Sequence, residues 1–254
     1  MPSTTRPLAL VTGASSGIGA DLARELARDG HDLVLAARTV APMETLAAEL
    51  EAHGAKSVVI TADLGQPEGA AALVREIKSR GLTVDVLINN AGLGAVGRFD
   101  QADLLRVGEM LQVNIVALTE LTRLLLPGMV ARGRGKVMLV ASTAAFQPGP
   151  SQAVYFGTKA YVLSFGEAIA YELRRTGVTV TVLCPGPTAT NFAQVAGTSE
   201  LKFFNSAARQ VMSAATVARL CGVTYPLALS SACGPASGAS AVATCTDGVR
   251  CTYA

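Results

Sequence analysis

The feature of this sequence that most constrains its fold is a regular alternation of short apolar runs with longer segments of helical periodicity. Apolar runs of strand length that are separated by helices indicate parallel strands, buried on both faces and joined by right-handed crossovers. The predicted strands are Leu8–Val11, Asp32–Ala36, Ser57–Thr61, Val84–Ile88, Lys136–Ala141 and Val178–Leu183. The predicted helices are Ile18–Asp29, Met43–His53, Glu68–Arg80, a long one near Leu104–Val130, and Ala153–Thr176.

The alternating region contains no long linker, composition break or internal repeat. We therefore predict an α/β fold in residues 1–220: a single doubly wound Rossmann-type domain with a central parallel sheet flanked by helices. A segment with apolar residues near 189–212 is expected to form a substrate lid, with a partner-facing surface as the alternative.

Residues 221–254 have a different character. Their only charged side chains are Asp247 and Arg250, and four of the five cysteines of the chain fall there. No clear helical or strand period is visible, and no strand is expected to lead into Thr246-Asp247-Gly248. Two interpretations stay open. The segment is either a divergent native tail, ordered or disordered, or the translation of a shifted reading frame that begins just after Arg219.

Composition excludes several classes of function. The net charge of the 254-residue chain is +2, and no run of Lys or Arg marks a surface for nucleic acid or membrane. No uninterrupted apolar run approaches the ~20 residues of a membrane span, and the short polar N-terminus is unlike a signal peptide. The cysteines show no CxxC or Cys/His spacing, so no metal site is expected. We expect a cytoplasmic protein.

A glycine-rich turn follows the first predicted strand and precedes the first helix. Glycines at this place allow a tight turn and close backbone approach, and the helix N-terminus offers N–H groups to a phosphate. The spacing is GxxxGxG, and the alternative to a pyrophosphate site is a purely structural turn. The candidate cofactor-binding residues here are Gly13, Ser15, Ser16, Gly17, Ile18 and Gly19.

The end of the second strand bears on the choice between NAD and NADP. An acidic residue in this region would accept hydrogen bonds from the adenosine ribose, but the chain has Ala37 followed by Arg38. A guanidinium binds a 2′-phosphate well, and an alanine does not repel it. The alternative is a solvated arginine at a strand end. The sequence favours NADP(H).

Two further strand ends carry candidate cofactor-binding residues. Asp63, followed by Leu64, either bonds an adenine amino group or caps the next turn. The fourth strand ends in Asn89 and Asn90, where the asparagines either face a ligand or serve the turn. Small residues after them let the backbone approach a ligand. The candidates in these two places are Asp63, Leu64, Asn90, Ala91 and Gly92.

Tyr155 and Lys159 lie four positions apart in a predicted helix, so the phenol and the ammonium share one face. A fixed cation beside a phenol stabilises the phenolate and lowers its pKa from its ordinary value near ~10. That change would suit a proton-transfer catalyst. Taken alone, the same pair is also found as an ordinary surface tyrosine beside a solvated lysine.

Together these motifs resemble the short-chain dehydrogenase/reductase superfamily over residues 6–192. More narrowly, the glycine-rich entry and the stretch 155–178 are similar to the DltE-like group of bacterial oxidoreductases. The motifs in chain order are TGASSGIG, Asp63, NNAG, a serine at the end of strand five, YxxxK, and Pro185-Gly186.

The resemblance implies roles for individual residues. Ser142 would bond the reacting carbonyl oxygen, although a serine at a strand end can also be a cap. Tyr155 would be the acid/base, and Lys159 would bind the nicotinamide ribose. Asn114 would support a water that relays protons, with a satisfied buried amide as the alternative. Pro185, Gly186 and Thr188 would lie against the nicotinamide.

The function expected from this resemblance is NADP(H)-dependent interconversion of a ketone or aldehyde with an alcohol. One alternative is a 3-oxoacyl or 3-hydroxy-acid enzyme. Free hydroxy acids are disfavoured because no cation lies in residues 144–150, with Arg98 and Lys202 as possible exceptions. Another class of function is a non-catalytic NADP-binding sensor or scaffold. The expected partner is a small molecule, and the family resemblance implies a homodimer or homotetramer.

Overall fold

The apolar runs form one sheet in the computed structural model, which describes residues 6–190, Phe192 and 212–220, and the backbone of 243–246 and 250–253. The parallel strands are β1 Leu8–Thr12, β2 Asp32–Ala37, β3 Ser57–Thr61, β4 Val86–Asn89, β5 Gly135–Val140 and β6 Val178–Cys184. Their order is β3-β2-β1-β4-β5-β6. The predicted doubly wound fold is confirmed, and the order reverses between β1 and β4, where open α/β sheets bind ligands.

Helices cover both faces of this sheet. They are α1 Gly17–Arg28, α2 Val40–Glu51, α3 Gly69–Ser79, α4 Leu104–Leu111, α5 Leu118–Ala131, α6 Ala153–Glu172 and α7 Ala214–Leu220. Because side chains alternate along a strand, Leu10 of β1 packs with the buried residues of α3, α5 and α6. Ala9 and Val11 pack instead with those of α1, α2 and α7. The two apolar layers fix the sheet, so the carboxyl ends of its strands form one edge.

The long predicted helix near Leu104–Val130 is interrupted. A π-helical turn, Gln112–Ala117, separates α4 from α5. The whole run has 28 residues and contains an 18-residue window with a mean hydropathy of 1.4, so it is long and apolar enough for a membrane span by length and composition only. Core helices pass the same test, and here Leu118 and Leu121 are buried against the sheet. Charged residues in this run are the reason why the sequence showed no uninterrupted apolar stretch.

Several boundaries differ from the prediction by a few residues. Helix α2 begins at Val40, ahead of the predicted Met43. Pro42 lies in its first turn, where a missing N–H costs no intrahelical hydrogen bond. Short 3₁₀ turns cover Phe99–Gln101 and Thr143–Phe146, and β7 Thr188–Ala189 pairs in parallel with β8 Met212–Ser213.

The end of the chain contains two strands that the sequence pattern did not indicate. β9 Ala243–Thr246 pairs antiparallel with β6, and β10 Arg250–Tyr253 pairs antiparallel with β9. The expectation that no strand leads into Thr246 is therefore wrong. The edge of β6 presents free backbone groups that an extended segment can pair with whatever its side-chain pattern.

Most of the predicted lid and tail, residues 191, 193–211 and 221–242, lies outside the described residues. The domain division after residue 220 and the shifted reading frame stay predictions.

Candidate active site

A cavity of about 690 Å³ opens at the carboxyl edge of the parallel strands. It runs from the glycine-rich turn after β1 to the N-terminal half of α6. Every candidate cofactor or catalytic residue named from the sequence lines it, except Gly19 and Asn114. The topology thus brings together residues that lie up to 175 positions apart, from Gly13 to Thr188.

The glycine-rich turn is shaped by backbone conformations that favour glycine. Gly13 and Gly17 have φ of +66° and +57°, in the left-handed region. A Cβ on Gly19 would overlap the Asn90 side chain and the Gly13 carbonyl. Gly19 therefore serves the packing of α1 on the turn, which explains its absence from the cavity wall. The first turn of α1 lies at the wall, and its amides have no intrahelical acceptors.

Thr12 organises the neighbouring strand end, and the sequence reasoning assigned it no role. Its hydroxyl accepts hydrogen bonds from the amides of Asn90 (3.0 Å) and Ala91 (3.1 Å) and donates to the Ile88 carbonyl (3.2 Å). The Asn90 amide group donates to the Thr12 carbonyl at 2.9 Å. Asn90 thus takes the turn role that was its alternative. A hydroxyl residue at the end of β1 was the available signal.

Asn89 belongs to the core rather than to the site. Its side chain donates to the Thr122 hydroxyl at 3.0 Å and to the Leu118 carbonyl at 3.3 Å. These bonds tie the end of β4 to α5.

The end of the cavity at β2 and β3, where the sequence predicts the adenosine of a cofactor and which we call the adenosine end, carries exposed charges. Arg38 lies at the end of β2, is 55% exposed, and donates from Nη1 to Oε1 of Glu109 at 3.0 Å. Asp63 accepts from the Gly65 amide at 3.0 Å and from the Gln66 side chain at 3.2 Å. Asp63 therefore caps the next turn, as its alternative had it, while it also faces the cavity.

The catalytic candidates meet where α6 passes the ends of β5 and β6. Lys159 is 5% exposed, and its Nζ donates to the Val140 carbonyl at 2.8 Å. Nζ lies 5.8 Å from the centroid of the Tyr155 ring. The Ser142 hydroxyl accepts from the Ala144 amide at 3.1 Å and donates to the Pro185 carbonyl at 3.4 Å. Ser142 therefore caps a turn and lines the cavity at the same time.

Burial dominates the titration of both groups. It raises the pKa of Tyr155 to about 12, against an opposing hydrogen bond with Ser142. It lowers the pKa of Lys159 to about 8. The predicted lowering of the Tyr155 pKa by Lys159 is therefore wrong for the chain alone. Residue spacing carries no information on desolvation, and the ammonium binds a backbone carbonyl rather than the phenol.

Asn114 lies in the π-helical turn and is 1% exposed. Its side chain accepts from the Leu93 amide (2.8 Å) and donates to the Leu93 carbonyl (2.9 Å) and to Thr158 (3.0 Å). The side chain is thus the satisfied buried amide of the alternative interpretation. A Cβ on Gly92 would lie 3.4 Å from Asn114 Oδ1 and 3.5 Å from Lys159 Nζ, so the three residues are neighbours.

The substrate end of the cavity is mostly uncharged. The Phe192 ring lies 5.6 Å from that of Tyr155, and the Phe156 ring meets Tyr155 edge-on at 6.1 Å. Among the described lining residues, the ionisable side chains are Arg38, Asp63, Tyr155 and Lys159. Of the two possible exceptions for a carboxylate, Arg98 is not among these lining residues. Arg98 is 72% exposed and pairs with Asp100, and Lys202 lies outside the described residues.

The turn after β6 forms the part of the wall beside Ser142. Pro185, Gly186 and Thr188 all line the cavity. The Thr188 hydroxyl donates to the Gly186 carbonyl at 2.9 Å, which holds this turn in a closed shape.

Comparisons with known proteins agree with this arrangement. A family model described as short chain dehydrogenase matches residues 7–200. The ketoacyl reductase HetN from Nostoc sp. is 35% identical over 186 residues, which are 73% of this chain and 65% of HetN, slightly under two thirds of its length. A short-chain dehydrogenase from Sphingobium yanoikuyae in complex with NADPH superposes with a TM-score of 0.77 at 32% identity, over 85% of this chain and 82% of that one. The 3-ketoacyl-(acyl-carrier-protein) reductase from Brucella melitensis complexed with NADH gives 0.74 at 28% identity, over 85% and 88%.

Proposed function

Because the chain belongs to the short-chain dehydrogenase/reductase family, we propose that it is an NADP(H)-dependent oxidoreductase that interconverts a ketone or aldehyde with an alcohol. The observation that carries this proposal is the convergence of Ser142, Tyr155 and Lys159 on one cavity with the glycine-rich turn. All three chemical groups are present, which a non-catalytic sensor or scaffold would not need.

The adenosine end and the turn fit a dinucleotide. The first turn of α1 would hold the pyrophosphate, because it lies at the cavity wall and its free N–H groups can donate to phosphate oxygens. Arg38 would bind the 2′-phosphate, and Asp63 the adenine. Thr188 and the turn 185–186 would hold the nicotinamide. When bound, the nicotinamide supplies or accepts the hydride.

Ser142 and Tyr155 would act on the substrate oxygen. Both residues line the cavity. Tyr155 can donate a hydrogen bond to a carbonyl and stabilise the negative charge that develops on its oxygen, and Ser142 can do the same once its hydroxyl leaves the long, 3.4 Å bond to the Pro185 carbonyl. Because burial holds the phenol protonated, with a pKa of about 12, Tyr155 is supplied with the proton that a carbonyl reduction requires. In the oxidative direction it must first lose that proton.

Lys159 would make that loss possible. Its ammonium has three donors, and the bond to Val140 occupies one of them. The other donors are available to ribose hydroxyls and to a water. The Asn114 side chain already bonds to Leu93 and Thr158, but its amide oxygen accepts one of the two hydrogen bonds it can take. Asn114 would hold the water of the relay through that second position.

The uncharged substrate end favours a neutral substrate over a free carboxylate. It also favours the second candidate function, reduction of a 3-oxoacyl thioester, whose reacting portion carries no charge. The similarity to ketoacyl reductases supports this candidate. A cytoplasmic location and a homodimer or homotetramer stay part of the proposal. Exposed leucines on α4, Leu104 and Leu105, support association.

The test is a panel of neutral ketones, aldehydes, 3-oxoacyl thioesters and free 3-oxo acids, assayed with NADPH and with NADH. We expect turnover of at least one neutral carbonyl with NADPH, and none of the free acids. Tight NADPH binding without turnover of any member would favour the sensor instead. A strong preference for NADH would contradict the role of Arg38.

A further inference from the structure

Arg38, the proposed ligand of the 2′-phosphate, is already occupied by an acidic side chain. Glu109 approaches from α4, 71 residues further along the chain, and its Oε1 accepts from Arg38 Nη1 at 3.0 Å. The other carboxylate oxygen, Oε2, accepts from Arg106 at 2.8 Å. One carboxylate thus joins two guanidinium groups beside the mouth of the cavity.

This carboxylate is held firmly in place. Arg106 is three positions before it on the same helix, and the backbone of Gly65 lies against it. A Cβ on Gly65 would be 3.4 Å from Glu109 Cγ and 3.7 Å from Oε1. Glu109 is 29% exposed, against 55% for Arg38, so the less exposed partner fixes the position of the more exposed one.

The charges at this place favour competition. The guanidinium groups of Arg38 and Arg106 are matched by the carboxylates of Glu109 and Asp63, which both lie close to Gly65, so no net positive charge is left for a phosphate dianion. The dianion and the carboxylate both need N–H donors of Arg38, which offers them in a fixed fork. Their negative charges also repel each other across that fork. A nucleotide without the 2′-phosphate meets neither cost, because Arg38 then keeps its bond to Glu109.

Resting on the proposed function, we propose that Glu109 sets the cofactor preference of this site. Its carboxylate neutralises Arg38 when no phosphate is present and competes with the 2′-phosphate for it. It therefore weakens NADP(H) binding and leaves NAD(H) binding nearly unchanged. The cavity accepts both nucleotides, with a moderate preference for NADP(H).

The test is direct binding of NADPH and NADH to the purified full-length chain, by nucleotide fluorescence and by calorimetry. The variants are Glu109→Gln, Glu109→Ala and the control Glu76→Gln, which breaks a similar pair between Glu76 of α3 and Arg80 just after that helix, away from the cavity. We expect both Glu109 variants to bind NADPH about tenfold more tightly, with NADH changed less than about twofold. The control should match wild type for both nucleotides.

The possible failures can be told apart. Weaker NADPH binding in the folded Glu109 variants would overturn the inference, because Glu109 would then orient Arg38 for the phosphate. An unchanged ratio of the two affinities would overturn it as well. If the wild-type chain binds neither nucleotide, the proposed function fails, and the inference fails with it.

Discussion

The two ends of the cavity place similar ionic groups in opposite surroundings. At the adenosine end, Arg38 is 55% exposed and paired with Glu109. At the other end, where Ser142, Tyr155 and Lys159 meet and which we call the reacting end, Lys159 is 5% exposed, with its pKa lowered to about 8. Charges in solvent are screened and attract ligands by modest, salt-dependent amounts. Desolvation disfavours a buried charge and shifts its pKa. The adenosine end therefore suits recognition of the nucleotide, and the reacting end suits proton transfer.

The largest effect should follow from Tyr155→Phe, which removes the acid/base and keeps the ring. We expect turnover to fall by about 10³-fold, within the range of general acid–base catalysis. NADPH affinity should change little, because the variant leaves the adenosine end of the cavity unchanged. Steady-state kinetics and fluorescence titration measure the two quantities.

The matched control for this variant is Tyr161→Phe. Tyr161 lies on the same helix, but its hydroxyl pairs with Thr119 at 2.9 Å rather than facing the cavity. Turnover retained by Tyr155→Phe, or lost equally in both variants, would contradict the acid/base role.

Much of the adenosine end could be predicted from the sequence, because the residues that indicate it are adjacent in the chain. Glycines in a strand-to-helix turn and Arg38 at a strand end are visible in a few adjacent letters. Glu109 could not be assigned to Arg38, because that pair forms only when the β2 end and α4 meet in the fold. The tail strands were missed for a similar reason, since they depend on the edge of β6.

The reacting end shows a different limit of sequence reasoning. Spacing placed Tyr155 and Lys159 on one face of α6, and both line the cavity. Spacing does not report burial, so it gave the wrong direction for the pKa of Tyr155. Nor could it show that the Asn114 side chain bonds to Leu93 and Thr158. The residues that meet can be predicted from motifs, but their electrostatics require the packed structure.

Lys159→Met should reveal the energetic cost of the buried charge. In the folded chain the pKa of Lys159 is about 8, below its ordinary value of 10.5. Between these values the unfolded chain binds more protons, so stability rises with pH in that window. Below pH ~8 the penalty is complete, about 3 kcal/mol, of which the lost bond to Val140 offsets about 1 kcal/mol. We expect the inactive variant to be more stable than wild type by about 2 kcal/mol at neutral pH.

Urea unfolding at pH 7 and near pH 10 measures this difference. The extra stability of the variant should shrink at the higher pH, where Lys159 of the folded wild-type chain is a neutral amine. Lys78→Met, at an exposed position on α3, should show neither effect. A Lys159→Met variant that is less stable than wild type, or a gain in stability that does not depend on pH, would show that burial of the Lys159 charge does not destabilise the folded chain.

The smallest effect should come from the exposed end. Arg38→Gln removes the proposed phosphate ligand and frees Glu109, whose charge then repels the 2′-phosphate. We expect NADPH to bind about tenfold more weakly, with NADH affinity nearly unchanged and the salt dependence of NADPH binding reduced. Arg98→Gln is the control, because Arg98 forms a similarly exposed pair with Asp100 outside the cavity. If Arg38→Gln weakens both nucleotides equally, its effect is structural. If it weakens neither, the 2′-phosphate is bound elsewhere. The adenosine end would then not recognise its ligand by charge, and the proposed contrast with the buried reacting end would be wrong.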